Sequence, residues 1–240
     1  MSLGKLIVID GADGSGKATQ VRLVVERLQE EGISVRTLDF PQYTNNLFGK
    51  LIRECLDGSC GDFIALHPKI ASTLYAADRF ESSEHIRDWL HAGEVVILDR
   101  YVSSNMIHQG AKIEDLDERT KFLSWLDEME HVVFRTPRPD MIIHLDVPFG
   151  IRRNLLLKDS TRTSLDLAEE HFEHQRASEE CARDIIKSVN KWASIQCVGK
   201  DGLLSKEVIH EAVYLAVKEV LDGRQSSSFD YASGGRSGHL

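Results

Sequence analysis

Long apolar runs are missing from this sequence. None approaches the ~20 residues that a bilayer-spanning helix needs, so no membrane partner is expected. Positive charge is in the minority: 29 Lys and Arg stand against 38 Asp and Glu, a formal net charge of −9. That balance argues against a general nucleic-acid binder, and any phosphate site has to be a local basic pocket. Cysteine is scarce. Cys55, Cys60, Cys181 and Cys197 are the whole set, and no two show the C-x-x-C spacing of a zinc or redox site. All four therefore read as reduced cytosolic thiols, and a cytoplasmic location is the expectation. Internal repeats are also lacking. The opening "MSLGKLIVID" passes directly into strand-like residues, which is not the pattern of a signal peptide.

What is present is 240 residues with 42% hydrophobic side chains, enough for one large α/β domain with a real core. "KLIVID" (5–10), "SVRTLDF" (34–40), "EVVILD" (94–99), "DMIIHLDV" (140–147) and "SIQCV" (194–198) read as short strands. Between them lie helical patterns at 17–31, near 45–56, at 68–91, 118–134 and 166–189, and a closing helix at 205–221. Pro68 starts the long third helix and Gly93 stands just past its end. Alternating strand and helix predicts a three-layer α/β fold, a parallel sheet with helices on both faces and right-handed crossovers. The domain is expected over 1–222. Residues 223–240, rich in Ser and Gly without period, read as a disordered tail.

At the first strand–helix turn stands "GADGSGKATQ". Gly11, Ala12, Asp13, Gly14, Ser15, Gly16 and Lys17 match the G-x-x-x-x-G-K phosphate loop, with Ala18 and Thr19 opening the helix. The glycines let backbone N–H groups turn inward, the helix start adds its dipole, and Lys17 adds a full charge. Ala18 replaces the usual Ser or Thr whose hydroxyl helps to hold magnesium. Thr19 is about 100° further round the helix and cannot take its place. Magnesium keeps several waters, so a water at the vacated position weakens the metal site without abolishing it.

Asp99 and Arg100 end a buried strand, on the side of the sheet where open parallel sheets bind ligands. An Asp there can hold magnesium through water, and an Arg can neutralise a phosphate in transfer. Tyr75 and Arg79 are four apart on one helix and share a face. An aromatic plane beside a guanidinium suits a nucleobase, although alone such a pair is most often a surface contact. His171 and His174 lack a third ligand nearby in sequence and do not predict a metal site. Trp89, Trp125 and Trp192 read as core anchors.

Together, "GADGSGKATQ", "DFPQY", "YAADR", "DRYVSSN" and "PRPDMIIHLDVP" occur in the order found in thymidylate kinases, which this chain resembles from about Lys5 to Val220. The resemblance implies phosphorylation of dTMP by ATP with Mg²⁺, with a kinase for another pyrimidine monophosphate or a non-catalytic nucleotide binder as the alternatives. It also implies a five-stranded parallel sheet, a mobile lid (about 150–165) and a homodimer. It implies that residues 11–19 bind ATP and that Asp13 sits near the acceptor's sugar hydroxyl and phosphate. It further implies Phe40 in the acceptor site, Tyr75 on the thymine ring and Arg79 on its carbonyl. Arg100 is implied on the acceptor phosphate, Asp99 on magnesium-bound water, Tyr101 near the 2′ position, and Ser104, His108 and Gln109 around the base. The chain departs from the family at Ala18, at Tyr43 and Leu167 where an Arg is common, and at His108 where an aromatic ring is usual. Replacement charge is expected from the basic cluster Arg152, Arg153, Lys158 and Arg162, with Lys158 and Arg162 closing over ATP as catalytic cations.

Overall fold

Strand β1 (Lys5–Asp10) has an apolar residue at nearly every position, and the fold uses both of its faces. Ile7 and Ile9 point to one helical layer, Leu6 and Val8 to the other. The computed structural model describes residues 3–152, 172–189, 191–200 and 202–223. Five parallel strands form one sheet in the order β2-β3-β1-β4-β5, with β2 Val35–Asp39, β3 Val95–Asp99, β4 Met141–Asp146 and β5 Trp192–Gln196. β1 is central, so the chain leaves it and returns on both sides. The loops at the carboxyl ends of β1 and β3 share one crevice.

One face of the sheet is covered by α1 (Lys17–Glu30) and α7 (Lys206–Leu221), through Val21, Val24 and Leu28 and through Ile209, Val213 and Val217. The other is covered by α3 (Pro68–His91), α4 (Val102–Gly110), α5 (Leu116–Glu128) and α6 (Phe172–Ser188). α2 (Leu47–Leu56) packs beside α3 through a smaller cluster of Ile52, Cys55, Leu56 and Phe63. Each start has a local cause. Pro68 occupies the first turn of α3, where its missing N–H costs nothing. Asp115 caps α5 by accepting the N–H groups of Asp117 and Glu118 at 2.9 Å, and Ser205 caps α7.

Several expectations need correction. The helix expected over 118–134 is α5 followed by a five-residue π turn, Met129–Val133, that widens the backbone and turns Glu130 inward. The strand expected at 194–198 ends at Gln196, and Val198–Gly199 instead pairs antiparallel with Gly202–Leu203. α4 comes directly after Asp99 and Arg100, where the sequence pattern predicts no helix. The helix expected at 166–189 is described from Phe172 onward. Trp192 is buried, but Trp89 and Trp125 pack on the core from half-exposed positions. The four thiols are not all free: Cys55 and Cys60 form a disulfide, while Cys181 and Cys197 are free and buried. The turn after α2, with Gly58 at φ 95°, brings the two Cα atoms to 4.5 Å, a fold-back that the spacing C-x-x-x-x-C does not reveal.

Candidate active site

The glycine-rich loop of residues 11–17 is a product of steric exclusion. Gly11 has φ 147°, and a Cβ there would stand 2.9 Å from the carbonyl oxygen of Leu145. Gly16 has φ 89° and hands the chain to α1 in the left-handed region. Ser15 is buried, and its Oγ has no hydrogen-bond partner among the described residues. Lys17 is 7% exposed and donates from Nζ to the Ala12 carbonyl at 3.0 Å. Burial, and then the Arg100 charge, lower its pKa from 10.5 to about 8, despite the opposing pull of Asp13, Asp99 and Asp10.

That shift has a measurable consequence. Between pH 8 and 10.5 an unfolded lysine holds a proton that folded Lys17 has released, so this residue costs stability at lower pH and the cost fades as pH rises. An anion in the loop favours the charged form and reverses the balance. Triphosphate affinity should therefore be level below pH 8 and fall by up to about tenfold per pH unit above it. Calorimetry at pH 9 in two buffers of different ionisation enthalpy should show proton uptake on ATP binding. No uptake would refute the assignment.

Asp10, which the sequence motifs do not single out, is the hub of the crevice. It is fully buried; its Oδ1 accepts the Gly11 N–H at 2.7 Å. Its carboxylate also accepts Ser103 Oγ and, at 3.0 Å, Ser104 Oγ. The signal in the chain is an acidic residue at the end of an otherwise apolar strand. Arg100 comes after β3 with φ 64°, a conformation costing about 1 kcal/mol for a non-glycine residue, and its N–H donates to Ile9 O at 3.0 Å. The guanidinium pairs with the Asp13 carboxylate and lies 3.9 Å from Asp10. Asp13 Oδ1 is also 4.0 Å from Lys17 Nζ. Burial alone would raise the Asp13 pKa, but Arg100, Lys17 and His108 outweigh it and hold the carboxyl far below the ordinary range. Asp99 differs: burial raises its pKa against the pull of Lys17 and Arg100.

One cavity opens between the Asp13–Arg100 pair and α2. Phe40, Tyr75, Arg79, Tyr101, Ser104, His108 and Gln109 line it, with Tyr43, Asn105 and Lys112. Tyr101 is held flat by its hydroxyl on the Pro137 carbonyl (3.1 Å) and by Phe40, centroids 5.8 Å apart. Tyr75 lies 6.0 Å from Phe63. Arg79 is only 2% exposed. Its Nε donates to Glu130 at 3.1 Å, its Nη2 also to Glu130, and its Nη1 to the Tyr101 carbonyl at 3.4 Å. Glu130 is fully buried and carries no signal in the sequence, because only the π turn points it inward. Gln109 is buried, with no partner for its Oε1 among the described residues.

His108 accepts at Nε2 from Arg100 (3.5 Å), which places its proton on Nδ1, 3.3 Å from Ser178 Oγ. Burial, Arg100 and His174 drop its pKa to about 3, so it is a neutral ring at working pH. Arg152 is not a solvated lid cation: it is buried against the phosphate loop. Arg153, Lys158, Arg162, Leu167 and His171 lie outside the described residues. Among the described residues no three His, Cys, Asp or Glu side chains gather as a metal cage. No described helix is long and apolar enough to cross a membrane.

Known proteins share this architecture. A solved thymidylate kinase from Candida albicans superimposes with TM-score 0.71 at 22% identity, covering 95% of this chain and 97% of that one. A thymidylate kinase of Thermomicrobium roseum is 34% identical over 224 residues, 92% of this chain and 98% of its own length. A probable thymidylate kinase of Pyrococcus abyssi is 31% identical over 225 residues, 92% of this chain and 98% of its own. The sequence profile described as thymidylate kinase matches residues 9–212. With a glycine-rich loop after the first strand, an Asp and an Arg at the end of the third and a cavity beside them, this chain belongs to the thymidylate kinase family.

Proposed function

We propose that this protein transfers the γ-phosphoryl group of ATP to dTMP, giving dTDP. One observation carries the reading: a single cavity joins a base-reading wall (Tyr75, Arg79, Gln109) to the Asp13–Arg100 pair, and Asp13 lies 4.0 Å from Lys17 of the phosphate loop. Acceptor and donor phosphates would meet between Arg100 and Lys17. The ATP phosphates take residues 11–19, where the buried Ser15 hydroxyl lacks a partner among the described residues and Lys17 supplies charge. Transfer spreads charge over the phosphoryl oxygens, and the two cations neutralise it while Asp13 orients the acceptor.

Magnesium fits as an ion carried by the nucleotide. Asp99 offers it a carboxylate at the end of β3, and Ala18 offers no side-chain oxygen. Such a site suits a cation that keeps its waters and takes most of its ligands from phosphate. When bound, it supplies charge neutralisation to the polyphosphate. Lys158 and Arg162 add lid cations in this reading, within one kinase domain over 1–222 (lid about 150–165) followed by the tail 223–240. A second copy of the chain is the proposed partner. Support comes from Val132 and Val133, 60% and 65% exposed, next to Phe134, whose ring lies 5.6 Å from that of half-exposed Phe80. The charge of −9 speaks against nucleic acid as a partner. We place the enzyme in the cytoplasm, with its nucleotides, where exposed Cys60 is open to exchange with small thiols.

Base choice gives the test. Arg79 can only donate, which suits the O4 of thymine and opposes the amino group of cytosine. Gln109 Oε1 awaits a donor, which thymine N3–H provides and cytosine N3 does not. Two unpaired polar contacts should lower kcat/KM for dCMP by about 10⁴-fold relative to dTMP. A coupled ADP assay with dTMP, dUMP, dCMP, AMP and GMP reads this directly. Comparable rates with dCMP or AMP, or no ADP from any acceptor, would end the proposal.

A further inference from the structure

Arg152 is among the largest fully buried side chains of the described residues, at 1% exposure. Long cationic side chains are seldom hidden without a task. Its Nε donates to the carbonyl of Val147, at the end of β4, at 2.8 Å. Its Nη1 donates to Gln175 Oε1 on α6 at 3.2 Å and to the backbone carbonyl of Asp13 at 3.3 Å. Glu179 Oε2 lies 3.7 Å from Nη2 and accepts the Phe149 N–H at 3.2 Å. One planar fork thus ties the sheet end, α6 and the phosphate loop together. A lysine, a point charge with no fixed fork, could not meet all three.

The contact at Asp13 matters because the next residue is Gly14. Its φ is 76°, and a glycine crosses between both signs of φ at little cost. The peptide between Asp13 and Gly14 can therefore flip at little cost unless something holds it. A trans peptide points its C=O and its N–H to opposite sides. By drawing the Asp13 carbonyl toward itself, Arg152 sends the Gly14 N–H the other way. The same peptide carries the residue whose carboxylate pairs with Arg100 and faces Lys17.

We propose that Arg152 is a positioning residue for phosphoryl transfer, which pins the Asp13–Gly14 peptide against β4 and α6 and thereby sets the aim of the Asp13 carboxylate. The proposal rests on the kinase reading above. A wild-type protein without turnover would defeat that reading, whereas an active wild type with indifferent Arg152 variants would defeat only this one.

The test is steady-state kinetics on Arg152→Met and Arg152→Lys. Loss of aim should lower kcat by about 10- to 100-fold, the scale of an ångström's misplacement. KM for both nucleotides should change less than about threefold, because the binding groups stay in place. Arg152→Lys keeps the charge without the fork and should be impaired as well. Because the effect runs through Asp13, Asp13→Asn/Arg152→Lys should be no slower than Asp13→Asn alone. Circular dichroism and melting temperature report folding; should Arg152→Met not fold, Arg152→Lys alone decides. Wild-type kcat in Arg152→Lys, effects that multiply in the Asp13→Asn background, or a change confined to melting temperature would each overturn the proposal.

Discussion

Arg100→Met will lower kcat on the order of 10³-fold, the contribution of a guanidinium that meets transferring phosphoryl oxygens. The reason lies in how the residue is held. Its backbone is at φ 64°, its N–H is tied to Ile9, and its side chain is braced by Asp13, Ser104 and His108 before any nucleotide arrives. A cation already aimed into the crevice has little to reorganise when charge develops. The neighbouring His108 stays neutral down to about pH 3, so it cannot stand in as a cation at working pH. Removing Arg100 also leaves Asp10 and Asp13 facing an incoming phosphate, so the KM for dTMP should rise together with the loss in kcat. Steady-state kinetics with both substrates, beside a melting curve that shows a folded variant, is the check. A kcat within tenfold of wild type would remove Arg100 from the chemistry.

Glu130→Ala will have the largest effect on stability. Arg79 is 2% exposed and Glu130 is fully buried, and they share three hydrogen bonds. Deleting the carboxylate leaves a guanidinium in the core without its hydrogen-bonded counter-charge. Breaking a buried pair from one side costs about 3–5 kcal/mol, because the remaining charge is desolvated without compensation. For a chain of this size that is a drop in melting temperature on the order of 10 °C. Thr136, which bonds the Glu130 backbone and side chain, would lose part of its purpose as well. The same change frees Arg79 to turn away from the cavity it lines, so the KM for dTMP should rise in whatever fraction stays folded. Urea unfolding measures the first effect and kinetics the second. A double variant, Arg79→Met/Glu130→Leu, should recover much of the stability but not the turnover. If Glu130→Ala proved as stable as wild type, the buried pair would not be what locks this wall.

The local parts of the site are open to reading from the chain. The loop of 11–17 is legible because its glycines are needed for φ values and clearances that only glycine meets, and because it stands between a strand and a helix. Asp99 and Arg100 are legible as polar residues ending an apolar strand. Tyr75 and Arg79 are legible as a pair by helical spacing, and the α3 that carries them begins and ends at Pro68 and His91 as the pattern predicts.

Other features escape because their cause is not local. Glu130 sits in a stretch that reads as an ordinary amphipathic helix, and only packing of the π turn against α3 directs it to Arg79. Cys60 meets Cys55 through a backbone reversal that residue spacing does not encode. Arg152 reads as one of four basic residues in a charged segment, and only the convergence of β4, α6 and the loop shows that it belongs to the interior.

By itself the sequence determined the layering and the glycine-rich turn between β1 and α1, because hydrophobic period and glycine sterics act over a few residues. The tertiary structure alone decided which charges meet. Asp13 finds Arg100 across 87 residues, Arg79 finds Glu130 across 51, and Arg152 finds Asp13 across 139. Such pairings arise from how packed layers bring distant segments to one place, and the energy of a charge depends on what stands within a few ångströms of it, not on its neighbours along the chain.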